Sequence, residues 1–192
     1  MKKIKFSNGV EFNMSPKEFV KIIAPYIGYE DVLFKDVSEC RERGYLNKTE
    51  FLKICYTKTT RNFKICIENT PEKIKYWSTR AFSQNISDLE RVKNLTQLKG
   101  VGMPRASFIL SAWNPIEYVT YDYRIRDVLE KKEIEDFEKP NKKDPNLWYL
   151  AELKLSRKWR DELNLKAARR VEYALYRYQF IGEISKKEFT LE

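Results

Sequence analysis

The stretch that decides the fold is residues 95–129, which read LTQLKGVGMPRASFILSAWNPIEYVTYDYRIRDVL. Apolar residues recur at three- and four-residue spacing on both sides of the Gly-Val-Gly at 100–102, and this spacing is typical of amphipathic helices. They are Leu89, Val92 and Leu95 before the glycines, then Ala106, Ile109 and Leu110 after them. The sequence therefore predicts a helix, a tight turn and a second helix over residues 89–112.

A turn of this kind is suited to binding a phosphate. Glycine allows positive φ and a close approach of the backbone to a ligand, and the first N–H groups of the next helix are directed at an anion. Such contacts recognise the backbone of a nucleic acid and not its bases. We expect a clamp made of Lys99, Gly100, Val101, Gly102 and Arg105. The alternative is that the two glycines only form a corner between packed helices.

The positive charge of the chain is concentrated in its middle third. Lys and Arg number 37 against 28 Asp and Glu, which gives a net charge of +9. Residues 41–110 hold fourteen basic and six acidic side chains, whereas residues 1–40 are neutral and residues 111–192 carry a net charge of +1. A localised basic surface is typical of proteins that bind a polyanion, and the alternative is an ordinary solvated surface.

The residue types that are missing limit the chemistry. The chain of 192 residues contains no histidine, which excludes Ser-His-Asp and Cys-His catalysis and zinc sites built with His. Cys40, Cys55 and Cys66 are too few for a four-cysteine zinc or iron–sulfur site, and we expect reduced, buried thiols. No metal and no cofactor is expected. Since no apolar run reaches membrane-spanning length, we expect a soluble, cytoplasmic, monomeric protein without a membrane partner.

Helix signals dominate the rest of the chain, and the expected fold is all-α with eight to ten short helices. Residues 3–13 are the exception, because apolar and polar residues alternate about Asn8-Gly9 and predict a small β-hairpin. Helix starts are predicted where Ser, Thr or Asn precedes Pro or stands three positions before Glu. These starts are at Ser15, Asn47, Thr70, Ser87 and Asn114.

The C-terminal third begins with a polar stretch. Residues 133–145 are rich in charge and contain two prolines, so they predict an exposed loop. Two helices are expected after it, at about 146–163 and 165–181. Their basic residues, Arg169 among them, are expected on a charged outer face.

Residues 98–106, LKGVGMPRA, resemble the helix-hairpin-helix of a DNA glycosylase superfamily whose members also carry a Gly/Pro-rich loop and a catalytic Asp. Endonuclease III and the adenine-mismatch glycosylase belong to it. In the endonuclease III branch the catalytic Asp follows the last hairpin glycine by twenty residues, and here that position is Asp122, in a similar setting of apolar residues. The ungapped match of both motifs covers about 35 residues.

The resemblance implies two helical lobes around a cleft, residues 1–30 with 119–192 and residues 31–118. It implies that Asp122 lies at the mouth of this cleft, where a damaged or modified base is flipped out of duplex DNA. The carboxylate would stabilise positive charge on the sugar and activate a water molecule. The alternative role of Asp122, compatible with the first, is that of a helix N-cap.

Aromatic residues lie close to Asp122 in the sequence. Tyr121 and Tyr123 flank it, and Trp113 lies upstream. Flipped bases are commonly held by stacking, so these three side chains are candidates for a base pocket. The alternative is that they pack between helices.

Departures from the family narrow the expected activity. Bifunctional members carry a Lys two residues after the last hairpin glycine, whose amine forms a Schiff base with the sugar, and this chain has Pro104 there. The resemblance therefore implies a monofunctional hydrolase without strong lyase activity at abasic sites. Arg124 and Arg126 lie near the positions of the family's common His/Arg pair, and its four-Cys motif is absent.

Three functions stay open at this point. The first is excision of a damaged or modified base from duplex DNA, in the cytoplasm and at the nucleoid. The second is nucleic-acid binding by a protein that keeps the hairpin without the chemistry. The third is a helical scaffold that binds no nucleic acid.

Overall fold

The computed structural model describes residues 2–5, 11–27, 37, 39–131, 134, 137–141 and 143–184. Within this part of the chain the fold is all-α, as the sequence predicts, apart from one antiparallel pair of short strands. β1 (Lys2–Lys5) pairs with β2 (Glu11–Met14), and Ile4 lies opposite Phe12. This pairing agrees with the predicted hairpin, whose Asn8-Gly9 turn lies outside the described residues.

Ten α-helices are present in the described residues, at the upper end of the expected number. They are α1 (Pro16–Ile23), α2 (Glu39–Arg43), α3 (Lys48–Lys58), α4 (Phe63–Ile67), α5 (Pro71–Phe82), α6 (Asp88–Leu95), α7 (Met103–Trp113), α8 (Tyr123–Lys131), α9 (Pro145–Glu162) and α10 (Ala168–Ile184). A 3₁₀ turn, Ala24–Tyr26, extends α1. The described residues between α8 and α9 form no helix, as predicted for this polar stretch.

Local hydrogen bonds explain most of the helix starts. Ser15, Asn47 and Ser87 form capping boxes with the Glu three residues later. Thr70 accepts the N–H of Lys73 at the start of α5. These four starts confirm the predictions made for them.

The fifth predicted start, at Asn114, is wrong. Asn114 instead ends α7, and its carbonyl accepts the N–H groups of the third and fourth residues after it in a single turn. The carbonyls of Pro115 and Ile116 accept the N–H groups of Arg169 and Ala168 at the start of α10, so they are not available for helix bonds. The N–H of Tyr121 donates to the hydroxyl of Ser107 in α7, at 2.9 Å. This bond fixes the segment that leads to α8.

The core is built around two helices. Nine of the eleven residues of α7 are buried, and α3 and α6 pack against it. The guanidinium of Arg41 donates to the carbonyls of Ala112 and Trp113 at its C-terminal end. The second central helix is α10, which contacts α1, α8 and α9. Its buried Tyr178 meets the ring of Phe19 edge-on, with 5.5 Å between ring centroids.

Cys40, Cys55 and Cys66 are buried free thiols, as the sequence predicts. The described residues contain no group of three or more His, Cys, Asp or Glu side chains placed to hold a metal ion. Among the helices described above, none combines the length and the apolar character needed to cross a membrane.

Candidate active site at Asp122

Asp122 directly precedes α8 and caps its N-terminus. Its Oδ1 accepts the N–H of Arg124 at 3.0 Å, and its carbonyl accepts the N–H groups of Ile125 and Arg126, each at 3.1 Å. The side chain is 16% exposed, so the carboxylate reaches solvent. The capping role that the sequence allows is therefore present, and it engages one of the two carboxylate oxygens.

The other oxygen faces an ammonium group from a different helix. The distance from Oδ2 of Asp122 to Nζ of Lys58 is 3.7 Å. Lys58 is the last residue of α3, and its Nζ lies over the ring of Phe108 in α7, 5.8 Å from the centroid. Burial lowers the pKa of Lys58, and the opposing charge of Asp122 does not cancel this effect.

A second carboxyl group interacts electrostatically with this pair. Glu152 of α9 is 1% exposed, and its Oε1 accepts no hydrogen bond within the part of the chain that the structure describes. Burial raises the pKa of Glu152 well above its ordinary value, and the negative charge of Asp122 raises it further. Lys58 and Arg169 oppose this shift only in part. Burial thus disfavours the charged form of Glu152 relative to that of an exposed glutamate.

Arg169 of α10 is buried beside these groups. Its guanidinium donates to the hydroxyl of Thr120 at 2.9 Å and forms an ion pair with Glu172. Thr120 in turn is hydrogen-bonded to Ser111 of α7, at 3.1 Å. The expectation that Arg169 lies on a charged outer face is wrong, because a buried carboxylate and a hydroxyl satisfy the guanidinium inside the core.

The two tyrosines next to Asp122 have different surroundings. Tyr121 is buried, and burial raises the pKa of its phenol. Tyr123 is 54% exposed, and the guanidinium of Arg124 lies over its ring, 4.9 Å from the centroid. The pair thus has one ring inside the protein and one at its surface.

Trp113 lies in a separate aromatic cluster. Its ring stacks on Phe82 with 4.5 Å between centroids, and the guanidinium of Arg91 lies 5.4 Å from its centre. No contact joins Trp113 to Asp122 within the described residues. The charge of Asp122 thus acts on the Tyr121 phenol, Tyr123 follows Asp122 in the chain with its ring against Arg124, and Trp113 packs among other side chains.

Gly100 is required by the geometry of the turn before α7. Its φ is +76°, in the region that favours glycine. A Cβ atom at this position would lie 2.8 Å from Sγ of Cys66 and 3.2 Å from the Cys66 nitrogen. The turn therefore packs directly on α4, and no side chain fits between them.

Gly102 has a different environment, because it is extended and exposed. A Cβ atom there would meet only Cδ of Pro104, at 3.9 Å. Among the described residues, the N–H groups of Gly102 and Met103 have no acceptor, and α7 begins without a side-chain cap. Packing alone does not require glycine here, and neither amide is used within the helix that follows.

The two cations of the predicted clamp are both engaged within the protein. Arg105 is buried and donates to the carbonyls of Gly100, Thr59 and Arg61, at 2.6, 3.0 and 2.5 Å. The structure thus uses Arg105 to hold the turn against the loop after α3, a role that the sequence analysis did not anticipate. Lys99 is exposed, and its Nζ lies 2.7 Å from Oε2 of Glu68.

Sequence reasoning missed Lys58 and Glu152. Lys58 carries no local signal, since a basic residue is common in the last turn of a helix. Glu152 did carry one, because it lies three positions after Tyr149 and seven before Trp159 on the apolar stripe of α9. An acidic residue on a buried helix face indicates a carboxyl group with a perturbed pKa, which makes it a candidate for a functional site.

Comparisons of the chain with protein-family models, with curated proteins and with solved structures find no match. The function is therefore inferred from the residues themselves. Two features stand out: the open turn before α7, and the carboxylate and ammonium pair at Asp122 and Lys58.

Proposed function

We propose that this protein is a DNA glycosylase with a helix-hairpin-helix, formed by α6, the turn at 100–102 and α7. It hydrolyses the N-glycosidic bond of a damaged or modified base, and Asp122 is its catalytic carboxylate. One observation carries the proposal: Arg105 bonds both to Gly100 in the turn and to Thr59, which follows Lys58, and Lys58 faces Asp122. The proposed phosphate-binding turn and a partly exposed carboxylate are thereby linked through three residues, Arg105, Thr59 and Lys58.

The turn suits a phosphate through its backbone. The N–H groups of Gly102 and Met103 donate to an anion at the positive end of the α7 dipole. Pro104 removes one further donor from this helix start. Affinity for DNA therefore comes from two amides and from nearby exposed cations such as Lys99 and Lys64.

Asp122 suits the chemistry because its two oxygens have separate tasks. Oδ1 is held by the N–H of Arg124, which fixes the orientation of the carboxylate. In the proposed reaction Oδ2, which lies 3.7 Å from Nζ of Lys58 on a side chain that is 16% exposed, stabilises the positive charge that develops on the sugar and orients the attacking water. This chemistry needs no histidine, in agreement with the composition.

The two-lobe arrangement is part of the proposal, and the helix contacts support it. Among the described helices, α3 to α7 contact one another and α1, α8 and α9 contact α10, and a smaller contact between α6 and α9 joins the two groups. The first group falls in residues 31–118 and the second in residues 1–30 with 119–192. Lys58 and Asp122 then come from different lobes, so the pair would lie at the boundary where the flipped base enters, with Tyr123 at its edge.

Alkaline cleavage of modified duplexes tests the proposal. The protein is incubated with duplexes that carry uracil or an alkylated, deaminated or oxidised base, and heating in alkali then cuts every abasic site. We expect cuts with the wild type and a loss of about a hundredfold or more with Asp122→Asn, because electrostatic stabilisation of this kind is worth that much. Asp127→Asn, on the same helix, is the matched control. Equal cutting by wild type and Asp122→Asn contradicts the role of Asp122.

The contacts of Asp122 also favour a second candidate, a non-catalytic nucleic-acid-binding protein. Both carboxylate oxygens have partners, since Oδ1 caps α8 and Oδ2 faces Lys58, so a purely structural role would explain them. This candidate predicts DNA binding that weakens steeply with salt and no cleavage of any modified duplex. A failure to bind DNA at low salt contradicts both candidates.

A further inference from the structure

Lys58 is an amine in an unusual setting. Its side chain is 18% exposed, compared with 58% for Lys99. Charged groups from three helices act on it: Asp122 at the start of α8, Glu152 of α9 and Arg169 of α10. Burial lowers its pKa, which increases the fraction of uncharged, nucleophilic amine at neutral pH.

The proposed reaction leaves an aldehyde close to this amine. Removal of a base from deoxyribose produces an abasic sugar, and its ring-opened form carries an aldehyde at C1′. If Asp122 lies against C1′ during base removal, then Nζ of Lys58, 3.7 Å from Oδ2 of Asp122, is within reach of the same carbon. An amine and an aldehyde held together in this way condense readily.

We propose that Lys58 forms an imine with the abasic sugar and cleaves the DNA strand by β-elimination. The inference rests on the proposed function for the origin of the aldehyde, but it also applies to an abasic site that arises elsewhere. The inference revises the expectation of little lyase activity, because that expectation rests only on Pro104 standing where bifunctional members have their lysine. The amine is missing from the hairpin and is supplied instead by the end of α3.

The step balances with water as the only co-reactant. The uncharged amine of Lys58 attacks C1′ and a C–N bond forms. The hydroxyl group that results takes up one proton from solvent and leaves as water, which gives the protonated imine, and the proton that Asp122 takes in the next step returns to solvent. The protonated imine then loses a proton from C2′ to the carboxylate of Asp122. The electron pair of that C–H bond forms the C2′–C3′ double bond, and the C3′–O bond breaks with the 5′-phosphate strand as leaving group. Water finally hydrolyses the imine and restores Lys58.

Borohydride trapping on a preformed abasic site tests the inference independently of any modified base. The substrate is a duplex from which a single uracil has been removed by a separate enzyme. With the whole protein we expect strand cleavage without alkali and, after reduction, a covalent adduct on the peptide that contains Lys58. Lys58→Arg keeps the positive charge and loses the nucleophile, so the adduct should fall at least about tenfold. Lys53→Gln, on the same helix, should leave it unchanged.

The outcomes separate the inference from the proposed function. An adduct that maps to Lys99 or to another amine overturns the role of Lys58, as does the absence of any adduct. Base excision without an adduct overturns the inference and supports the proposed function. An adduct on Lys58 without base excision supports the inference and contradicts the proposed function. Since peptide mapping is done on the wild type, the test does not depend on the folding of a variant.

Discussion

The side chain of Asn69 holds the backbone of Lys99 by two hydrogen bonds. Nδ2 donates to the carbonyl of Lys99 at 2.9 Å, and Oδ1 accepts its N–H at 2.8 Å. Nδ2 also donates to the carbonyl of Cys66 at 2.9 Å, which ties the turn to α4. Asn69 is buried, so water does not replace these bonds when they are lost. The turn before α7 is therefore shaped by a residue thirty positions earlier in the chain.

Replacing Asn69 by Ala should destabilise the protein by about 2–4 kcal/mol, because buried partners are left unsatisfied. Urea unfolding followed by circular dichroism measures this change. Asn94→Ala, on α6, is the control and should cost less than about 1 kcal/mol. If both variants unfold at the same urea concentration, Asn69 does not hold the turn.

The two glycines of the turn should respond differently to the same substitution. Gly100→Ala should cost about 2–4 kcal/mol, since the residue has positive φ and its Cβ would lie 2.8 Å from Sγ of Cys66. Gly102→Ala should change stability by less than about 1 kcal/mol, because its Cβ meets no atom closer than 3.9 Å. The methyl group should nevertheless weaken DNA binding, since it crowds the amide that faces the phosphate. Unfolding curves and fluorescence anisotropy with a labelled duplex measure the two effects. Undiminished DNA affinity in Gly102→Ala would show that this amide does not contact phosphate.

The ion pair of Lys99 with Glu68 should limit DNA binding rather than stabilise the fold. Both side chains are more than half exposed, and exposed pairs contribute about 0–1 kcal/mol. Glu68→Gln should therefore leave unfolding nearly unchanged and strengthen DNA binding several-fold, because it removes a negative charge beside the turn and frees the ammonium group. Lys99→Ala should weaken binding and reduce the slope of log affinity against log salt by about 1. A salt slope that is the same in Lys99→Ala and the wild type would exclude a phosphate contact at this residue.

Stability should fall with increasing pH because of Glu152. Its folded-state pKa is raised above the unfolded value, so its contribution is favourable below about 4.5 and is lost as the pH rises through the folded pKa. A glutamine at this position has no proton to lose. The stability of Glu152→Gln relative to the wild type should therefore increase by about 1.4 kcal/mol per pH unit between the unfolded and the folded pKa of Glu152. Urea unfolding of both proteins between acidic and mildly alkaline pH measures the difference. A difference that does not depend on pH would mean that Glu152 is charged in the folded protein.

Most of the helices and the position of the turn could be predicted because the forces that form them are local. A capping box at Ser15 or Ser87 joins residues three positions apart, and the propensity of glycine for positive φ marks Gly100. The prediction failed at Asn114, because the carbonyls of Pro115 and Ile116 accept N–H groups at the start of α10 and are not available for helix bonds. It failed again at Arg169, because an arginine is expected at the surface unless a buried partner such as Glu172 is known.

The sequence by itself determined the all-α class and the turn before α7, since both depend on residue type and short spacing. Asp122 was singled out by the resemblance of residues 98–129 to the motifs of a glycosylase superfamily. Only the tertiary structure decided what surrounds Asp122. Nζ of Lys58 reaches it from α3, Glu152 of α9 interacts with it electrostatically, and Arg105 is turned inward to hold the turn. These groups lie tens of residues apart in the chain, and their protonation depends on burial and on neighbouring charge. Both conditions arise only when the helices pack, and packing brings the amine of Lys58 to the carboxylate and raises the pKa of the buried Glu152.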